Sequence, residues 1–185
     1  MSTIPIKTIA DLKSQKAWVP DNNNIALAAW EAFQVSPIPL PVRDVLMGLQ
    51  TGMVNVVAGS PIAALALQWH TKIKYTTDVP LSYIFAVFIL DKKAFSKISA
   101  ADQIIVREVL SRVANEVDKK SREDNINALK ALKNQGIEFI VPTAEATEEL
   151  RKLIGGANEK LMKTGKLTKS MVDLLNKHLI DYRAK

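Results

Sequence analysis

The sequence predicts an α/β fold in which a sheet, at least partly parallel, is layered with helices. Three observations predict it. Short β-rich runs alternate with segments of helical period over residues 16–73. A helical period then continues over residues 99–136, which is longer than one small domain needs. The chain has 185 residues, 48% of them hydrophobic, and this is enough for one domain with a sizeable core.

The first part of the chain is predicted to alternate strand and helix. Prolines keep two of the runs extended, because proline also disfavours helix in the residue before it. Asparagine, glycine and serine stand at helix ends, where these residues form caps. The predicted elements are a strand at 16–20, a helix at 21–33, an extended run at 36–41, a helix at 42–52, a buried strand at 53–59 and a helix at 60–73.

The second part contains the longest predicted helix. At about 1.5 Å per residue it would be roughly 50 Å long, so it bridges two bodies or bends midway. The β-rich run before it lacks alternation and is predicted to be a strand buried on both faces. The predicted elements are a strand at 79–91, a helix at 99–136 with a capping box at Ser99 and Asp102, a strand at 137–142, and helices from Thr143 broken at Gly155-Gly156 and Gly165.

Motifs of several function classes are absent from the sequence. The stretch "GLQTGMVNVVAGSP" (48–61) has three glycines but neither GxxxxGK[ST] nor GxGxxG, so it is not predicted to cradle phosphate. HExxH and GxSxG are also absent, and there is no cysteine to act as nucleophile or metal ligand. The two histidines, His70 and His178, stand far apart. The sequence therefore predicts no enzyme, no metal site and no cofactor.

The charge balance favours solvated helix faces over a nucleic-acid site. The net charge is +6 and the pI about 9.5. The basic residues form no block and are not interleaved with aromatic side chains, so no nucleic-acid partner is predicted. The N-terminal stretch "MSTIPIKTIADLK" lacks the apolar core of a signal peptide. A mature or truncated form is expected, and a cytoplasmic one stays open.

Three stretches together resemble a known family. They are "IKTIADLKSQKAWVP" (6–20), "SPIPLPVRDVLMGLQTGMVNVVAGSP" (36–61) and "LDKKAFSKISAADQIIVREV" (90–109). In order and spacing they are similar to the solute-binding subunit of tripartite ATP-independent periplasmic (TRAP) transporters, of the dicarboxylate-binding-protein type. The resemblance covers residues 4 to about 154.

The resemblance implies a two-lobed receptor that closes on a small organic solute, usually one that bears a carboxylate, and delivers it to a membrane permease. Residues 1–185 are expected to form one unit: a three-layer lobe of periplasmic-binding-protein type, with a mixed sheet covered by helices and one long bridging helix. Residues 79–115 would pack on a first lobe, and without it would form a homodimer. A periplasmic location is implied. The alternative is a degenerate lobe that acts as an interaction or structural protein without solute.

The resemblance also implies the site residues. Trp18 stands where the family has an arginine that pairs with the solute carboxylate; an indole cannot form that pair, but it can stack on an apolar or aromatic solute. Asn55 replaces the family's aspartate, and Ser60 is the polar residue before the proline. Asn22 lies with Asn23 and Asn24 at a helix start, where backbone N–H groups attract anions. The predicted ligand-binding residues are thus Trp18, Asn22, Asn55 and Ser60, with helix capping as the alternative role of the serine and the asparagines.

Overall fold

The computed structural model describes residues 1–81 and 86–184. Within them the chain forms short strands and helices of very unequal length. The strands are β1 (Trp18–Pro20), β2 (Ile38–Leu40), β3 (Tyr75–Thr77) and β4 (Glu138–Ile140). The helices are α1 (Ile9–Lys13), α2 (Asn24–Ala32), α3 (Val45–Thr51), α4 (Pro61–Ala66), α5 (Lys92–Phe95), α6 (Ala100–Asn134), α7 (Ala144–Lys163) and α8 (Lys169–Arg183), with 3₁₀ turns at Val42–Asp44 and Trp69–Thr71.

The strands form one mixed sheet through two bridging residues. β1 pairs with β2, and β3 pairs with β4, both in parallel. Val56 lies parallel to Ala17 beside β1, and Ser2 lies antiparallel to both Val56 and Tyr75. The resulting order is β2, β1, the segment at Val56, the segment at Ser2, β3 and β4. Every member except the segment at Ser2 therefore runs in the same direction.

Helices cover both faces of this sheet, which confirms the expected three layers. Successive residues of a strand point to opposite faces. Trp18 accordingly joins one core cluster, which α3, α4 and the end of α6 complete, whereas Ala17 and Val19 join the other, which α1, α2 and α7 complete. The first cluster contains Trp18, Val45, Leu49, Val54, Val57, Ala64, Trp69, Ile73, Leu132 and Ile137.

The long helix predicted at 99–136 is present as α6. Ser99 caps it, since its side chain accepts a hydrogen bond from the backbone N–H of Asp102. The buried residues of the helix are Ala128 and Leu132, both near its end. Several apolar side chains in its first half are exposed, Ile105 and Val109 among them. The helix is thus anchored to the lobe by its last turns.

The strand predicted at 79–91 is not found in the part of that run which the structure describes. Residues 79–81 and 86–91 have no regular secondary structure, and residues 82–85 lie outside the described residues. Val87, Phe88, Ile89 and Leu90 are exposed rather than buried on two faces. The physical reason is that a strand needs a neighbour, and residues 79–81 and 86–91 pair with none of the described strands.

Three local predictions differ from the structure in extent. Residues 53–59 are extended and Val54, Val56 and Val57 are buried as predicted, but the segment pairs through single bridges rather than as a regular strand. The helix predicted at 60–73 is interrupted after α4 by the left-handed Gln68. The break predicted at Gly155-Gly156 is wrong, because α7 continues through both glycines. Its apolar face continues across them and packs on α2, which keeps the helix intact.

Candidate functional site

The parallel direction of the strands brings five connecting segments to one side of the sheet. In open α/β sheets this side, beyond the carboxyl ends of the strands, is where ligands bind. We call it the carboxyl edge and define it by residues 21–23, 41–44, 58–60, 78–80 and 141–143. Helices α2, α3, α4 and α7 all begin at or just after these segments.

Asn22 lines a hollow of about 250 Å³ beside the carboxyl end of β1. Its backbone is left-handed, with φ 59°, a conformation that asparagine tolerates better than most residues. The next residue, Asn23, caps α2, because its Oδ1 accepts a hydrogen bond from the N–H of Ala26 at 2.9 Å. The hollow is lined by three asparagines, Asn22, Asn23 and Asn24, and by five apolar residues, Val19, Pro20, Leu27, Pro37 and Pro39.

Trp18 lies beneath this edge in the core rather than in the hollow. Its side chain is buried, with 5% of the residue exposed. The indole Nε1–H donates a hydrogen bond to the carbonyl of Leu40 at 2.8 Å, and this bond ties β1 to β2. The ring meets that of Trp69 edge to face, with 5.4 Å between the centroids. Both the polar atom and the ring of Trp18 thus have partners within the lobe.

Ser60 lies at the carboxyl edge, at the start of α4. Its Oγ accepts a hydrogen bond from the N–H of Ala63 at 3.3 Å, and Pro61 follows it at the first helical position. The N–H of Ile62 donates to the Oδ1 of Asn125 on α6 at 3.4 Å. The N–H groups of Ile62 and Ala63, in the first turn of α4, thus already have side-chain acceptors.

Asn55 lies at the opposite side of the sheet. Its Oδ1 accepts a hydrogen bond from the N–H of Lys16 at 2.9 Å, and its Nδ2 donates to the Oε1 of Gln15 at 3.0 Å. Both partners precede β1, so they mark the amino ends of the strands. The structure thus brings Asn22 and Ser60 to the carboxyl edge, places Trp18 beneath it, and leaves Asn55 away from it.

Met1 contacts the extended segment that leads to Ser60. The Met1 nitrogen donates a hydrogen bond to the carbonyl of Val57 at 2.9 Å. Gly59 approaches Trp69 closely, since a Cβ there would lie 3.1 Å from the ring atom Cζ3. A side chain at position 59 would therefore require the Trp69 ring to shift by a few tenths of an ångström.

Charged side chains at the carboxyl edge were not recognised from the sequence. The edge carries Asp21, Arg43, Asp44 and Asp78. The Arg43 side chain is 84% exposed, and its Nε lies 3.8 Å from the Oδ1 of Asp44. The signal that could have revealed this arginine is its place three residues after the end of β2.

The family assignment follows from comparison with known proteins. The model of the family "Bacterial extracellular solute-binding protein, family 7" (DctP) matches residues 1–164 of the chain. The chain belongs to this family. It is 25% identical over 139 residues to the 2,3-diketo-L-gulonate-binding periplasmic protein YiaO of Escherichia coli K12. That match covers 75% of this chain and 42% of YiaO.

Solved structures of TRAP periplasmic solute-binding proteins share the fold of this family 7 chain. One from Bradyrhizobium sp. BTAi1, in complex with D-galacturonate, has a TM-score of 0.81 at 19% identity, covering 95% of this chain and 57% of its own. Another from Desulfovibrio salexigens, with bound orotic acid, has a TM-score of 0.79 at 20% identity, with the same two coverages. This chain therefore spans about half the length of the relatives it matches.

The family is one of solute receptors, found in the periplasm, rather than of enzymes. This confirms the resemblance drawn from the three sequence stretches and the periplasmic-binding-protein type of lobe. Among the described residues, no helix has the length and apolar character that crossing a membrane requires. Helix α8 begins after the last residue that the family model matches.

Proposed function

We propose that this chain is the solute-binding component, or part of it, of a TRAP-type uptake system, and that it binds a small organic carboxylate at the carboxyl edge. The observation that carries the proposal is the hollow beside β1, whose lining is mostly apolar but includes three asparagines at the start of α2. Such a mixture suits a solute with both an apolar body and hydrogen-bonding groups. The matched TRAP proteins have small organic acids bound, D-galacturonate in one and orotic acid in the other.

Asn22 is the predicted residue whose position fits direct contact with the solute, because it lines the hollow. Contact through Ser60 requires the solute to extend along the edge towards α4. For Trp18 and Asn55, direct contact stays a prediction, since their polar atoms already have protein partners.

The proposed partners are the membrane permease subunits of the transporter, with the periplasm as the place of action. We also propose a homodimer through residues 80–115. Support comes from the apolar side chains exposed at 86–90 and along the first half of α6, because apolar surface of this extent favours association. Sedimentation at micromolar concentration tests this part, and a monodisperse monomer would contradict it.

Calorimetric titration of the purified chain with D-galacturonate, D-glucuronate and orotate tests solute binding. Native mass spectrometry of the same preparation looks for a retained small molecule. We expect at least one acid to bind with a defined stoichiometry. Absence of binding by all three acids, together with absence of a retained molecule, would contradict the proposal.

The contribution of Asn22 is tested with Asn22→Gly, because glycine keeps the left-handed backbone and removes the amide. Gln34→Gly is the matched control: Gln34 has the same φ of 59° and lies at the other end of α2, outside the hollow. We expect Asn22→Gly to weaken binding about fivefold or more, the effect of one lost hydrogen bond. Equal affinities of the two variants would remove Asn22 from the site.

A further inference from the structure

Arg43 is the one basic residue at the carboxyl edge. The segments 21–23, 41–44, 58–60, 78–80 and 141–143, all of which the structure describes, contain three aspartates and this single arginine. A carboxylate that approaches the edge therefore meets three acidic side chains, those of Asp21, Asp44 and Asp78, and one basic side chain.

The position of Arg43 follows from the register of the sheet. Leu40, the last residue of β2, lies opposite Pro20, the last residue of β1, so the two strands end side by side. Neighbouring strands lie about 4.8 Å apart, and the chain beyond each strand starts from this common edge. Asn22 follows one strand end by two residues and Arg43 follows the other by three. The arginine thus lies at the same edge of the sheet as Asn22, on the connection that leads to α3.

The backbone around Arg43 is fixed while its side chain is available. The N–H of Asp44 donates to the carbonyl of Pro41 at 2.9 Å, closing the 3₁₀ turn that contains the arginine. The guanidinium approaches Asp44 through Nε at 3.8 Å, which is beyond hydrogen-bond distance. Among the described residues, this ion pair is the contact found for the Arg43 guanidinium, and it involves Nε rather than a terminal nitrogen.

Four other donors at or near this edge are already in use. The N–H groups of Ala26, Ile62 and Ala63 donate to side-chain oxygens that cap or brace α2 and α4. The indole N–H of Trp18 donates to a backbone carbonyl. An incoming carboxylate would have to break these bonds to use the same donors, whereas Arg43 offers its terminal nitrogens without such a loss.

We propose that Arg43 binds the carboxylate of the solute and gives the site its preference for acids. The proposal deepens the proposed function and rests on it. The planar guanidinium matches a carboxylate with two parallel N–H···O bonds, which supply orientation as well as charge. Asn22 and the apolar residues that line the hollow then contact the rest of the solute.

The test compares three variants in calorimetric titration with the acid that the unmodified chain binds best among D-galacturonate, D-glucuronate and orotate. Arg43→Gln removes the charge. Arg43→Lys keeps the charge but loses the planar guanidinium that can form two parallel N–H···O bonds. Arg151→Gln is the matched control, because Arg151 is also an exposed arginine whose nitrogen lies 3.8 Å from a neighbouring carboxylate, that of Glu148, but it lies on α7. Circular dichroism and thermal unfolding check that each variant is folded.

We expect Arg43→Gln to weaken binding of the acid about tenfold or more, as the loss of a charged hydrogen-bond partner does. Arg43→Lys should recover part of the affinity and Arg151→Gln should retain all of it. Raising NaCl from about 50 mM to about 500 mM should weaken binding by the unmodified chain, because salt screens exposed charges, and should affect Arg43→Gln much less.

Two results would overturn the inference, and they are distinguishable. If the unmodified chain binds an acid and Arg43→Gln binds it equally well with the same salt dependence, Arg43 is not the carboxylate ligand although the proposed function stands. If the unmodified chain binds none of the three acids, the proposed function and this inference fail together.

Discussion

Leu132→Ala tests whether the last turns of α6 anchor this helix to the lobe. Leu132 is completely buried, with 0% exposed, in the cluster that contains Trp69 and Ile137. Replacing a buried leucine by alanine removes transfer free energy and leaves a cavity, at a cost of about 2–5 kcal/mol. Stabilities of native proteins are about 5–15 kcal/mol, so a large share would be lost.

Ile126→Ala is the control within the same helix. Ile126 is 57% exposed, so its truncation should change the free energy of unfolding by no more than about 0.5 kcal/mol. Urea unfolding followed by circular dichroism and by tryptophan fluorescence gives both values. A cost below about 1 kcal/mol for Leu132→Ala, or similar costs for the two variants, would refute the reasoning. It would mean that α6 is held elsewhere along its length.

Three further predictions concern single side chains. Trp18→Phe should reduce the free energy of unfolding by about 1–2 kcal/mol more than Trp69→Phe. The reason is that the Trp18 N–H bonds Leu40, while the buried Trp69 Nε1 has no partner among the described residues; equal urea midpoints would contradict it. Asp11→Ala should cost about 0.5–2 kcal/mol at pH 7, because the carboxylate completes the capping box of α1. Two backbone N–H groups lower the pKa of Asp11, so this stabilisation should disappear as the pH falls below the ordinary value of 3.8; a difference from the unmodified chain that persists at low pH would contradict this. Gly155→Ala should stabilise the chain by about 0.5–1 kcal/mol, since a Cβ there meets nothing within 4 Å and α7 is continuous; a lower thermal midpoint would indicate a break.

The elements that the sequence predicted well are those whose signals are local. Gly52 ends α3 in a left-handed conformation, and Ser60 with Pro61 starts α4, because these residue types fit such positions in almost any context. The long helix was equally clear from its period. The break predicted at Gly155-Gly156 failed for the opposite reason: packing of α7 on α2 outweighs a cost of about 1 kcal/mol per glycine.

Contacts between distant residues could not be predicted in the same way. Ile62 finds its acceptor on Asn125, 63 residues further along the chain, and Trp18 finds Leu40, 22 residues further along. Neither acceptor belongs to a recognisable sequence motif. Each donor would lack this acceptor if the distant segment were not folded against it. The donors of Trp18 and Ile62 near the carboxyl edge therefore have partners that local sequence patterns do not reveal.

The role proposed for Arg43 would let a lobe without an arginine in β1 select an acid. The resemblance to TRAP solute-binding subunits puts an arginine where this chain has Trp18, and here the indole of that residue serves the core. Since β1 and β2 are parallel and end in register at Pro20 and Leu40, a cation placed just beyond β2 serves the same edge as one placed in β1. Topology, rather than position in the sequence, determines which charges meet the solute. A guanidinium on the short connection after β2 supplies the charge without a buried arginine, whose desolvation would cost several kcal/mol.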